Sequence, residues 1–289
     1  MVVRQTILVT GSNGQLGMEL RQLAPVFPQY KFIFVTRGEF NIADTNSVNG
    51  FFRLSSPSYC INCAAYTAVD KAESEPDEAF LINAKAPGIL AGACAAHNTR
   101  FIHISTDYVF DGKATSPYTD QSSTNPVSIY GKSKLAGENN AVKENPESLI
   151  IRTAWVYSSF GKNFVKTMIR LMNERPEIGV VNDQFGSPTY AADLADAILK
   201  IITSGEWEPG IFHYTNQGVI SWFDFAMAIK EITHSHCTVK PITTEQYPTP
   251  AGRPAYSVLD GTKISATYDV PLLDWKESLS ACLALIKEQ

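Results

Sequence analysis

Residues 6–17 read Thr6-Ile7-Leu8-Val9-Thr10-Gly11-Ser12-Asn13-Gly14-Gln15-Leu16-Gly17, and this stretch decides the fold. The apolar run Thr6–Thr10 stops at a glycine. It is too short for a helix and right for a buried strand. A helical stretch, about 15–24, follows at once. Between the two lie three glycines in a G-x-x-G-x-x-G pattern. Glycine at such places permits a tight turn, a close backbone approach to a pyrophosphate, and close packing of the helix. The helix N-terminus then presents free N–H groups and the positive end of its dipole to phosphate oxygens.

Outward from this unit the pattern repeats. Short apolar runs occur at 31–36, 59–63, 100–105 and 149–153, with helical stretches at 45–54, 76–97 and 129–144 between them. Strands alternating with helices predict an α/β fold, a Rossmann-type doubly wound parallel sheet with helices on both faces. Pro87 predicts a kink or break within 76–97. Beyond residue 155 the alternation loosens. Helices are predicted at 161–174, 189–204, 221–233 and 272–287, and strands near 178–182 and 210–215. Residues 241–256, with four prolines and a glycine, read as a long loop. The division expected is 1–155 for dinucleotide binding and 156–289 for a smaller mixed α/β substrate-binding lobe, with some segments returning to the first unit.

Composition narrows the function. The chain has 289 residues, 44% hydrophobic and 18% charged, with a net charge of -5 and no dense Lys/Arg run. A globular core is expected and nucleic-acid binding over a broad surface is not. No run approaches 18 consecutive apolar residues, so no membrane span is expected. The N-terminus lacks a signal-peptide pattern, and five cysteines in a chain this long suggest a reducing cytoplasm. Cys60 and Cys63 form a CxxC, but on a strand they face opposite ways, which disfavours a shared metal or a disulfide. His234, His236 and Cys237 have no second Cys/His pair at zinc spacing and read as a polar connection.

Two further stretches carry chemistry. The residue after the second strand distinguishes the nicotinamide cofactors: an acid accepts from a ribose 2′-hydroxyl, a base accommodates a 2′-phosphate. Arg37 favours NADPH, while Glu39 nearby leaves NADH open. The fourth strand ends at Ser105-Thr106-Asp107, and Ile129-Tyr130-Gly131-Lys132-Ser133-Lys134 opens a helix. Tyr130 and Lys134, four apart, share a helix face. Hydride delivered to a ketone carbon leaves charge on oxygen, which needs a proton. A phenol has a pKa near 10, and a nearby ammonium lowers it. A hydroxyl such as Thr106 can hold the oxygen as its charge develops.

These stretches resemble the extended short-chain dehydrogenase/reductase family, whose turn reads Thr-Gly-x-x-Gly-x-x-Gly with Thr10 leading here. Within that family the resemblance is to the dTDP-4-dehydrorhamnose reductases, and it covers nearly the whole chain. It rests on Cys63–Glu73, Ser105–Gly112, Tyr130–Glu138, Arg152–Tyr157, Asn182–Thr189 and Arg253-Pro254. The resemblance implies NAD(P)H-dependent reduction of the C4 ketone of dTDP-4-dehydro-L-rhamnose. Tyr130 would be the proton donor, Lys134 would lower its pKa and hold the nicotinamide ribose, and Thr106 would complete the triad. Gly11, Gly14, Gln15, Leu16 and Gly17 would cradle the cofactor pyrophosphate. Asn41 and Ile42 would sit near the adenine, and Ala64, Ala65, Tyr66 and Thr67 along the cofactor path. Thr106, Asp107 and Trp155 would contact the sugar, Asn163 and Arg253 the nucleotide part.

Asn41 stands where many members carry an aspartate. Some members bridge a dimer through Mg²⁺ held by glutamates. Glu19 matches one such position and Ala192 departs from another, so no metal site is expected. A homodimer is compatible with the resemblance. Three alternatives share these residues: a reductase of another nucleotide-linked 4-keto-6-deoxysugar, a nucleotide-sugar epimerase, and a binding subunit resembling the β subunit of methionine adenosyltransferase.

Overall fold

The computed structural model describes residues 4–287. In chain order its strands are β1 (Gln5–Thr10), β2 (Tyr30–Val35), β3 (Tyr59–Asn62), β4 (Arg100–Thr106), β5 (Leu149–Thr153) and β6 (Val156–Tyr157). They continue as β7 (Glu177–Val181), β8 (Phe185–Gly186), β9 (Thr189–Tyr190), β10 (Gly210–His213), β11 (Ile220–Ser221) and β12 (Thr238–Ile242). Six of them form one parallel sheet in the order β10-β5-β4-β3-β1-β2. The chain runs from β1 outward to β2 on one side and then crosses back to β3 on the other side of β1. The crevice between β1 and β3 is therefore the switch point, where open α/β sheets place their ligands.

The helices are α1 (Gln15–Leu23), α2 (Thr45–Ser55), α3 (Val69–Ala72), α4 (Pro76–Phe80), α5 (Ala86–Ala96) and α6 (Ile129–Glu144). After them come α7 (Phe164–Glu174), α8 (Ala191–Thr203), α9 (Trp222–Thr233), α10 (Thr262–Tyr268) and α11 (Trp275–Lys287). Leu16 and Leu20 of α1 and Leu194 and Ile198 of α8 cover one face of the sheet, against Ile7, Val9 and Ile61. Val48 and Phe52 of α2, Leu90 of α5 and Ala141 of α6 cover the other, against Leu8, Cys60 and Phe101. Burial on both faces is why β1 is a continuous apolar run and not an alternating one. Cys60 belongs to one of these layers and Cys63 packs against the other, and all five cysteines are free.

The long helical stretch at 76–97 is interrupted as Pro87 predicts, by a π-turn over Leu81–Lys85 between α4 and α5. Proline offers no N–H to the Asn83 carbonyl one turn back. That carbonyl faces Gly137 of α6, where any Cβ would collide with it. Counting consecutive apolar residues missed one property of this stretch: Pro76–Ala96 is long and apolar enough to cross a membrane by length and composition. Here it serves as a core helix, with Ala86, Leu90, Ala91 and Cys94 fully buried.

A second core gathers Tyr157, Val165, Met168, Ile178, Phe225, Ile229, Val239 and Leu279 from α7, α9, α11 and the short ladders around them. β10 joins the main sheet beside β5, and α8 lies on α1. The expected loop at 241–256 begins too early, because Pro241 and Ile242 end β12, which pairs with β7. Proline is tolerated there because β12 is an edge strand of a two-stranded ladder. The seven-residue α10 escapes periodicity and is fixed instead by docking Ile264 and Tyr268 into the first core.

Candidate active site

The C-terminal ends of β1, β3 and β4 open into a cleft of about 870 Å³, within the range of small-molecule sites. Gly11 has φ +64, and a Cβ on it would lie 2.6 Å from the Ala64 nitrogen of the neighbouring strand end. A Cβ on Gly17 would lie 2.6 Å from the Gly11 carbonyl oxygen. The turn therefore closes only with glycine at both places. Gly14 is the N-cap of helix α1, so no side chain caps its first N–H groups. Asn62, fully buried, fixes the strand ends: its Oδ1 accepts from Thr10 Oγ1 at 2.7 Å and from the Ala64 N–H at 3.2 Å.

Gly11, Gly14, Gln15, Leu16, Gly17, Arg37, Asn41, Ile42, Ala64, Ala65, Tyr66 and Thr67 all line this cleft. Arg37 is exposed and meets Glu78 at 2.9 Å. Glu39 turns back instead, accepting from the Thr36 N–H at 3.0 Å and the Thr36 hydroxyl at 2.8 Å. Arg37 is thus the charged group presented after β2.

Thr106, Asp107, Tyr130, Lys134 and Trp155 line the same cleft. Ser128 caps α6 by accepting from the Gly131 N–H at 3.1 Å, which starts the helix one residue before Tyr130. Burial pushes the Tyr130 phenol up to about 12, with Thr106 offsetting part of the rise. Lys134 Nζ donates to the Ile104 carbonyl at 2.6 Å. Burial brings Lys134 itself down to about 8, and the Glu138 carboxylate opposes that fall. Asp107 is 2% exposed and is driven up to about 6 by burial, which the Ser257 and Thr106 hydroxyls only partly offset. Thr106 Oγ1 donates to Asp107 Oδ1 at 3.0 Å, while buried Oδ2 has no partner among the described residues.

Two expected nucleotide contacts are engaged otherwise. Asn163 lines the cleft, but its side chain caps α7 by accepting from the Lys166 N–H at 3.1 Å. Its Nδ2 donates to Gln15 Oε1 at 2.9 Å and to the Ser158 carbonyl at 2.7 Å. It ties α7 to the start of α1. Arg253 stands outside the cleft lining and forms a bidentate pair with Asp70, at 2.9 and 2.8 Å. Glu19, the one position matching a metal ligand, accepts from Ser158 Oγ at 2.6 Å.

Several residues that shape the site escaped the sequence reading. Asn83, on the π-turn, accepts from the Tyr66 N–H at 2.8 Å and donates to Ser133 Oγ at 3.0 Å, joining the cofactor-path loop to the helix of Tyr130. π-turns often mark functional sites, but the sequence signals only Pro87. The buried Glu138–Arg152 pair, 2.7 Å apart, fastens α6 to β5, and Ser105 also donates to Glu138. Glu138 lies one helical turn beyond Lys134 on α6, but its partner Arg152 on β5 is set only by the fold.

A doubly wound sheet with a glycine turn at its switch point, facing a Tyr-x-x-x-Lys helix across one cleft, is the framework of an extended short-chain dehydrogenase/reductase. Residues 5–288 match the family model described as RmlD substrate binding domain, and the chain belongs to that family. It is 45% identical over 278 residues to the spore coat polysaccharide biosynthesis protein SpsK of Bacillus subtilis (strain 168), with 94% of this chain and 95% of that one covered. The solved dTDP-4-dehydrorhamnose reductase, RfbD ortholog, of Clostridium acetobutylicum ATCC 824 superimposes with a TM-score of 0.94 at 44% identity, covering 98% of this chain and 100% of that one. The dTDP-4-dehydrorhamnose reductase of Bacillus anthracis str. Ames, solved in complex with NADP, gives 0.93 at 37% identity, covering 98% and 99%.

Proposed function

We infer that this chain is an oxidoreductase that uses NADPH to reduce the C4 ketone of dTDP-4-dehydro-L-rhamnose, giving dTDP-L-rhamnose. The observation that carries the reading is the convergence of Thr106, Tyr130 and Lys134 with the glycine turn in one cleft of a chain from this family. The cleft fits the cofactor. Backbone fills the places a Cβ would take at Gly11 and Gly17, and Arg37 is presented where a 2′-phosphate would lie. The intact trio favours this reading over a binding-subunit role.

The cofactor supplies the hydride for C4, and NADH can take its place. The protein's own task is the proton. Tyr130, held up at about 12, keeps its proton at neutral pH and can give it to O4. Thr106 stands between Asp107 and Tyr130 and can hold O4 as charge develops there. Lys134 at about 8 is charged at neutral pH, one helical turn from the phenol, and stabilises the phenolate left after transfer. The unpartnered Asp107 Oδ2 is suited to accept a sugar hydroxyl. Arg253 can exchange Asp70 for the substrate diphosphate, since both offer paired oxygens to its planar fork. Asn163 we assign to holding the two lobes together through Gln15. Five free cysteines fit a cytoplasmic setting.

The test is NADPH oxidation with enzymatically generated dTDP-4-dehydro-L-rhamnose beside a control without sugar. Rapid oxidation with dTDP-L-rhamnose as product is expected. Retained NADPH binding without oxidation would refute the substrate.

A further inference from the structure

Trp155 has a backbone that its residue type rarely adopts. Its φ is +49, in the left-handed region where a bulky non-glycine residue is an outlier. Such a conformation persists only where surrounding contacts over-determine it, and those contacts concentrate at functional sites. Two contacts account for it here. The indole of Trp222 stacks on that of Trp155 with ring centroids 3.5 Å apart and planes 9° from parallel. Gly186 lies against the Nε1 side of the Trp155 ring, where a Cβ would come within 2.6 Å of Cε2 and 2.9 Å of Nε1.

Local structure makes these contacts one unit. The β8–β11 ladder pairs Gly186 with Ile220 and Phe185 with Ser221, so both arms are fixed to each other. Trp222 is the first residue of α9, directly after that ladder. Ser221 and Asp224 form a capping box there, with Ser221 Oγ accepting from the Asp224 N–H at 3.1 Å. Trp222 is backed in turn by Phe164 of α7, ring centroids 4.6 Å apart. Trp155 itself lines the cleft beside Thr106 and Tyr130. It packs both on the cluster around Val109, Phe110 and Tyr118 and on the second core.

We propose that Trp222 and Gly186 are positioning residues for substrate recognition: the stacked indole and the missing side chain hold Trp155 as a rigid apolar wall against the sugar. This rests on the reading of the cleft as a keto-sugar site. A 6-deoxy sugar presents a methyl group and C–H faces, and an immobile aromatic surface packs against both. The residues act through Trp155, which lines the cleft, whereas neither Trp222 nor Gly186 does.

The experiment compares Trp222→Ala, Trp222→Phe and Gly186→Ala with the wild type in full-length protein. Measurements are KM and kcat for dTDP-4-dehydro-L-rhamnose, KM for NADPH, and the far-ultraviolet circular-dichroism couplet that two stacked indoles produce. In Trp222→Ala the couplet should vanish and the sugar KM rise about tenfold, the size of a lost apolar contact, with the NADPH KM unchanged. Trp222→Phe should lose the couplet but recover the KM, because the ring surface is restored. Gly186→Ala keeps all four tryptophans yet should weaken the couplet and raise the KM together. A sugar KM within twofold of wild type in Trp222→Ala, with the couplet gone, overturns the inference and leaves the substrate reading standing. A wild-type protein that binds NADPH but reduces no dTDP-4-dehydro sugar overturns both.

Discussion

Replacing Asp107 by asparagine should stabilise the protein while harming substrate binding. The carboxyl is 2% exposed, and burial moves its pKa from the ordinary 3.8 to about 6. Each tenfold change in acidity corresponds to about 1.4 kcal/mol, so keeping Asp107 ionised costs the fold on the order of 3 kcal/mol. The sign follows from linkage. A folded pKa above the unfolded one means the native state binds the proton more tightly. Below about pH 4 Asp107 is protonated in both states and there is no cost. Between about 4 and 6 the cost grows, and above 6 it is constant. Asparagine has the shape of the neutral acid and keeps an oxygen to accept from Thr106. Thermal unfolding at pH 4, 5, 6 and 7 should therefore show the variant's advantage rising from near zero to roughly 5 °C in Tm, for a chain of this size. A gap that does not widen with pH, or a less stable variant at pH 7, would refute the reasoning. A charge retained at this cost is the pattern of a binding group, since stabilising substitutions at such groups tend to reduce function.

Four other outcomes follow from the site. Tyr130→Phe should lower kcat by roughly 10²–10⁴-fold; turnover near wild type would remove Tyr130 as the acid. Reductive kcat should fall as pH rises through about 8, where Lys134 loses its charge, and a pH profile flat to 10 would separate Lys134 from the reaction. Arg37→Ala should raise KM for NADPH more than for NADH, with little change in Tm because the Arg37–Glu78 pair is exposed; equal changes would mean that Arg37 does not meet the phosphate. Arg253→Ala should raise the KM for the dTDP sugar about tenfold and leave cofactor affinity alone, whereas an unaltered KM would leave Arg253 as a partner of Asp70 only.

The elements legible in the sequence are those with local causes. A strand that stops before Gly11 and a helix that starts after Gly14 are set by neighbours a few residues away. Tyr130 and Lys134 share a face because helical spacing is fixed by the backbone. Ser128 supplies the cap and α6 runs over 129–144, the span its sequence predicts. The order of strands and helices follows likewise, and with it the position of Thr106 at a strand end. The cofactor and catalytic positions expected from sequence and resemblance all meet in one cleft, whereas Arg253 lies beside it.

What tertiary structure alone decided depends on residues far apart in the chain. Nothing near Arg253 announces that Asp70, on the short helix α3, holds it. Nothing near Trp155 announces Gly186 and Trp222. The proton affinities of Asp107, Tyr130 and Lys134 come first from burial, which is made by every element packed around them. Lys134 illustrates the difference. Its spacing from Tyr130 is a property of one helix, but the Ile104 carbonyl that takes its ammonium belongs to β4, brought within 2.6 Å by the packing of α6 on the sheet. Spacing along a chain sets which side chains share a face; only the packed fold sets what that face meets and how much water is left there.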